Sequence, residues 1–188
     1  MHRGGNFFFF ETLFAGFLDF FRVILYNEEK TLRNEEKTLR ERASADRSLF
    51  SEKETPMILV CCLDKKDGLL FNKRRQSRDR ALVENLLATA NGAPIHIAPY
   101  SAALFTTGAT VSDAPHLCAG AGEYYFYEGI SVLPDRERIE GVILYLWNRE
   151  YPADVRFDRG ILAAMRCRSR EHFVGTSHEK ITKEVYTR

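Results

Sequence analysis

The sequence predicts an α/β fold: a single domain with a mixed, mainly parallel sheet flanked by helices. Three stretches carry that reading. Ile58-Leu59-Val60-Cys61-Cys62-Leu63 is a short, partly β-branched apolar run, the signature of a buried strand rather than a helix. Leu82, Val83, Leu86, Leu87 and Ala90 recur at helical spacing and form one apolar face. Gly141 to Trp147 is the longest β-prone run in the chain and predicts a central strand. Strand, loop and helix, with a second strand expected over Pro94 to Ala98, make up a βαβ unit.

The remaining elements follow in chain order. Asp64-Lys65-Lys66-Asp67-Gly68 ends the first strand with charge and a glycine suited to a turn. A basic knot, Lys73-Arg74-Arg75-Gln76-Ser77-Arg78, precedes the helix. Ser77 is the expected N-cap, and Asp79 is expected in the first turn, where a carboxylate favours the helix dipole. Asn91-Gly92 closes the helix. Ser101 to Phe105 reads as the start of a short helix, Val111 as a short strand, and Asp113 to Ala119 as another short helix. Glu123 to Glu128 is strongly β-prone. The tail, Glu171 to Thr187, predicts closing antiparallel strands.

Composition sets the outer limits. At 188 residues, 45% of them apolar, the chain is long enough for one domain with its own core. Lys+Arg is 27 against Asp+Glu 26, so any attraction for nucleic acid must be local. The cysteines, Cys61, Cys62, Cys118 and Cys167, form no C-x-x-C and read as buried free thiols in a reducing cytoplasm.

Residues 1 to 56 read differently. Phe7 to Tyr26 is phenylalanine-rich but carries Glu11, Asp19 and Arg22, too interrupted for a transmembrane helix and without a signal-peptide cleavage site. Asn27 to Arg33 then recurs unchanged as Asn34 to Arg40, the mark of a recent duplication rather than a solenoid. The preferred division is an N-terminal extension over 1–56, not necessarily native, and an α/β domain over 57–188. The competing reading makes the extension a helical appendage for a membrane surface or a partner.

Three groups of residues could carry chemistry. Asp79, beside a hydrophobic pocket, would have its pKa raised as an acid catalyst requires, or would merely favour the dipole. Arg74, Arg75 and Arg78 have the fork geometry that matches phosphate, so a phosphorylated ligand or RNA is a partner to test against a plain solvated face. The histidines, His2, His96, His116, His172 and His178, show no H-x-H or H-E-x-x-H, so no metal site is expected. Ser177-His178-Glu179 is contiguous and cannot form a triad within one strand, so surface or capping roles are expected for it.

The order Asp64, Gly68, Asp79, with the first two at the family's spacing, resembles the dihydrofolate reductase fold, and the resemblance runs in order from about Met57 to Arg188. It implies a nicotinamide-dependent reductase of a pterin-like small molecule. Asp79 would be the catalytic acid, Asp64, Gly68 and Asn72 would meet the substrate, and Ser101 and Gly129 would contact NADPH. Where the family has Leu-Pro-Trp, Arg74-Arg75-Gln76 stand here. Where it has Gly-Arg-x-Thr, Ala98-Pro99-Tyr100-Ser101 stand, and Glu128 precedes the one glycine of its glycine pair. A relative of the fold without catalysis is therefore a further expectation. A nuclease of the ribonuclease Z type is the alternative expectation. Its His-x-His-x-Asp-His motif is absent from this sequence.

Overall fold

The structure is a computed structural model that describes residues 55–188. The readings of the phenylalanine-rich run, the heptad repeat and the extension lie outside the described residues. β1 (Met57–Leu63) begins the main sheet. Its residues alternate between two cores: Val60 packs on one side, and Leu59, Cys61 and Leu63 on the other. A strand buried on both faces needs an unbroken apolar run, which Met57 to Leu63 supplies.

The sheet has seven strands in the order β5-β4-β6-β1-β7-β10-β9. β4 (Ile95–Ile97), β5 (Thr110–Val111), β6 (Tyr124–Tyr127) and β7 (Ile139–Leu146) join β1 in a parallel array. β9 (Arg166–Phe173) and β10 (Ile181–Thr187) close it antiparallel, as the tail predicted. The sheet is thus mixed and mainly parallel. β4 does not pair with β1, however, because the aromatic run of β6 takes the place between them. A smaller sheet, which the sequence did not announce, sets β2 (Gly68–Phe71) between β3 (Arg74–Arg75) and β8 (Val155–Arg156).

Helix is sparser than expected. Among the described residues α1 (Arg80–Ala90) is the only helix longer than one or two turns. Leu82, Val83, Leu86 and Ala90 bury its apolar stripe against Val60, Ile97 and Phe126. Leu86 is fully buried, and its truncation to alanine would cost about 2–5 kcal/mol. Asn91 ends α1 in the left-handed conformation at φ 48°, and its N–H bonds the Leu87 carbonyl. α2 is a single turn, Pro115–Cys118. The opposite core is covered by β2, Phe157 and Ile161 of a short 3-10 helix, Arg159–Ala164. Among the described residues no helix is long and apolar enough to cross a membrane.

The cysteines divide. Cys61 is buried, whereas Cys118 and Cys167 are exposed, so the expectation of four buried thiols fails for those two. Cys118 ends α2, and Cys167 lies on β9, an edge strand that is largely exposed and half of whose residues are charged. Such an edge resists pairing with other chains.

Candidate functional site

The loop from Asp64 to Asp79 runs past the carboxyl end of β1, and both of its ends are tied down by carboxylates. Asp64 is fully buried. Its Oδ1 accepts the N–H groups of Lys66 and Gly68, each at 2.7 Å, and its Oδ2 accepts the Tyr151 N–H at 3.0 Å. Burial pushes this carboxyl up, but the N–H donors of Tyr151, Gly68 and Lys66 outweigh it and hold the carboxyl below its ordinary value. Gly68 fits only because it lacks a Cβ, which would sit 2.3 Å from Gln76 Nε2 and 2.6 Å from Ala153 Cβ. Asp64 and Gly68 therefore shape the loop from inside it. Asn72 is exposed at φ 49°, and its N–H bonds Asp154 at 2.8 Å.

Asp79 is the N-cap of α1, with the helix starting at Arg80, so Ser77 is not the cap and Asp79 is not in the first turn. Its extended backbone (φ −148°, ψ 128°) lets Oδ1 accept the Ala81 N–H at 2.9 Å. The same carboxylate reaches the tail. The Thr176 and Ser177 N–H groups donate to it, each at 2.8 Å, and the Ser177 hydroxyl donates at 3.0 Å. His178 Nδ1 lies 3.1 Å away. Burial pushes the Asp79 carboxyl up, yet the donors of Ser177, Thr176 and His178 prevail and hold it well below the ordinary carboxylate range. This reverses the expected rise. A carboxylate with this many donors keeps its charge and is a poor source of protons.

His178 is buried and was missed as a site residue. Its ring stacks on Trp147, with centroids 4.6 Å apart. Its Nε2 lies 3.1 Å from Ser77 Oγ and 3.2 Å from the Tyr151 hydroxyl. The surface or capping role expected of the Ser177-His178-Glu179 trio thus fails for His178. Apart from the adjacent Ser177, its partners are remote in sequence, and no local pattern marks them.

Arg75, Ser101 and Glu128 make a second knot. The Arg75 guanidinium sits 4.5 Å over the Tyr100 ring, donates to the Tyr100 carbonyl at 2.7 Å and lies 3.3 Å from Glu128. The Ser101 hydroxyl, buried in the 3-10 helix Pro99–Leu104, donates to Glu128 at 2.6 Å. Burial raises the Glu128 pKa, against the opposing pull of Ser101 and Arg75. Gly129 follows at φ 88°, where an added Cβ would lie 3.0 Å from Val155. Ser101, Gly129 and Arg75 are therefore already engaged within the fold.

Three clefts adjoin along the loop. The first, about 520 Å³, is lined by Asn72, Arg74, Arg75 and Tyr151. The second, about 760 Å³, shares Arg74 and Arg75 with it and adds Ser77, Arg78 and Tyr100. The third, about 350 Å³, shares Arg78 with the second and reaches Asp79 and Ser177. Arg74 and Arg78 are exposed, and among the described residues no carboxylate pairs with either. Of the predicted site, the structure thus brings Asn72, Arg74, Arg75, Arg78 and Asp79 to one trough, with Asp64 and Gly68 beneath the loop and Ser101 and Gly129 at the Glu128 knot. No family model matches the sequence, and no curated protein matches it either.

Proposed function

We propose that the chain is a dihydrofolate reductase-like protein whose trough along residues 71–80 binds a small anionic, phosphate-bearing molecule. One observation carries the reading: Arg74 and Arg78 are exposed in adjoining clefts without a carboxylate partner among the described residues, while the neighbouring Arg75 is consumed in holding the loop. Arginine forks match phosphate oxygens in pairs. The clefts have the size of small-molecule sites. The fold part of the proposal is supported by the order Asp64, Gly68, Asp79 around one loop and by the mainly parallel sheet with its antiparallel closure.

A second reading, nicotinamide-dependent reduction of a pterin-like substrate, is favoured by the place of Asp79 beside that loop at the head of α1. It needs a proton source, and the five donors around Asp79 oppose that role for it. It also needs a dinucleotide pyrophosphate near Glu128, a buried carboxyl. Thermal-shift titration of the full chain with inorganic pyrophosphate, NADPH, NADH and short RNA separates the readings, because a bound ligand raises the midpoint by mass action. We expect a shift with pyrophosphate that is lost in the Arg74→Ala/Arg78→Ala double variant. NADPH oxidation in the presence of a pterin would favour the reductase. A shift with RNA alone would favour a nucleic-acid role, and no shift with any anion would remove the proposal.

A further inference from the structure

His178 is held through both ring nitrogens: Nδ1 meets Asp79 and the Ser177 hydroxyl, itself a donor to the same Asp79 oxygen, and Nε2 meets the hydroxyls of Ser77 and Tyr151. Nδ1 faces Asp79 Oδ2 at 3.1 Å, and Nε2 faces Ser77 Oγ at 3.1 Å. Asp79 is a carboxylate acceptor, so Nδ1 carries the proton and Nε2 keeps its lone pair for the Ser77 hydroxyl. The ring is buried and stacked on Trp147, and the Thr176 and Ser177 N–H groups fix the Asp79 carboxylate. Ser77, by contrast, is half-buried and lines the second cleft with Arg74 and Arg78. An accessible hydroxyl, a buried imidazole and a buried orienting carboxylate are the three parts of nucleophilic acyl transfer, which is recognised by geometry and not by sequence order.

We propose that Ser77, His178 and Asp79 act as nucleophile, general base and orienting acid in the hydrolysis of a carboxylic ester admitted through the second cleft. The Ser77 proton passes to Nε2 as Oγ bonds the acyl carbon. The ester C–O bond then breaks, and the proton on Nε2 leaves with the alcohol. Water next gives a proton to Nε2 and attacks the acyl carbon. The Oγ–C bond breaks, and Ser77 regains its proton as the acid departs. The sum is ester plus water giving acid plus alcohol. Arg74 and Arg78 at the same cleft supply the positive charge that a tetrahedral oxyanion requires. If the anion reading above holds, the acid or alcohol portion of the substrate is itself anionic. The Ser77 chemistry stands independently of that clause. The Tyr151 hydroxyl also lies within reach of Nε2, at 3.2 Å.

The test uses the full chain and a fluorophosphonate probe, which loses fluoride as Oγ bonds phosphorus. Intact mass and peptide mapping read the adduct, and p-nitrophenyl acetate reads turnover. The expected result is one adduct at Ser77, none in Ser77→Ala, and labelling slowed by about a hundred-fold or more in His178→Gln, the range general-base removal gives. Ser77 is half-buried on a loop, so Ser77→Ala should keep the parental melting curve. No adduct on the natively melting chain would overturn the proposal, as would an adduct that survives in Ser77→Ala. A labelled Ser77 without a pyrophosphate shift would sink the anion reading alone, and a pyrophosphate shift without labelling would sink this one alone.

Discussion

The Asp79 carboxylate caps α1 through Oδ1 and, through Oδ2, accepts the backbone N–H of Ser177 at a sequence distance of 98 residues. A helix start and the chain's tail are thereby fastened by one side chain. Asp79→Asn keeps the shape but replaces one acceptor with a donor that faces other donors. It should cost about 1.5–3 kcal/mol, the range for hydrogen bonds to a charged group. A urea melt checks this, and a loss below about 0.5 kcal/mol would mean the carboxylate is not the fastening.

Acid should act through the same group. The folded pKa of Asp79 lies below its ordinary value of 3.8, so the folded chain binds fewer protons there than the unfolded chain. Its contribution is present above that value and is lost as the pH falls beneath it. Asp79→Asn should therefore flatten the acid limb of a stability–pH curve.

Glu128 should do the reverse. Its folded pKa is raised above 4.5, so the folded chain holds the extra proton and the associated stability declines as the pH rises from that value. Glu128→Gln keeps an acceptor for the Ser101 hydroxyl and removes the titration. The variant should gain on the parent as the pH climbs from about 4.5 towards neutrality. Parallel curves for parent and variant would refute the assignment.

The arginines should separate by variant. Arg75→Ala removes the contacts to Tyr100 and Glu128 and should lower stability by about 1–3 kcal/mol. Arg74→Ala and Arg78→Ala should each stay within about 0.5 kcal/mol of the parent and lower pyrophosphate affinity instead. Melting and isothermal titration of the three single variants make the comparison.

The thiols give a kinetic check. Burial pushes the Cys61 thiol up, whereas Cys118 and Cys167 are exposed. A thiol reagent added to the folded chain should modify Cys118 and Cys167 first and reach Cys61 only on unfolding. Mass mapping at early times reads the order.

The parts of this fold that were legible in the sequence are those governed by local period. Val60 and its neighbours spelled a buried strand, Leu82 to Ala90 a helix with one apolar face, and Asn91 its left-handed end. What escaped depended on distance along the chain. β6 enters between β1 and β4 because of pairing that no local window contains. The small β3-β2-β8 sheet joins Gly68 to Arg156, and two-residue strands carry no alternation to read. The Asp79 pKa was misjudged for the same reason. Its burial was foreseeable from the apolar surroundings, but its donors come from Thr176 and Ser177, across the whole domain. Ser77 and His178 meet 101 residues apart, with no spacing rule to bring them together.

Trp147 is the single tryptophan of the chain, nearly fully buried, and its indole is stacked on the His178 imidazole with a tilt of 27°. The protein therefore carries its own optical gauge of one event, the seating of the tail on the loop. While the tail is seated, the indole is shielded by an imidazole in van der Waals contact. Once it lifts, the same indole meets water and its emission moves to the red. Every photon above the tyrosine background comes from that one place, so a stopped-flow trace at a single wavelength would time the tail without any added dye.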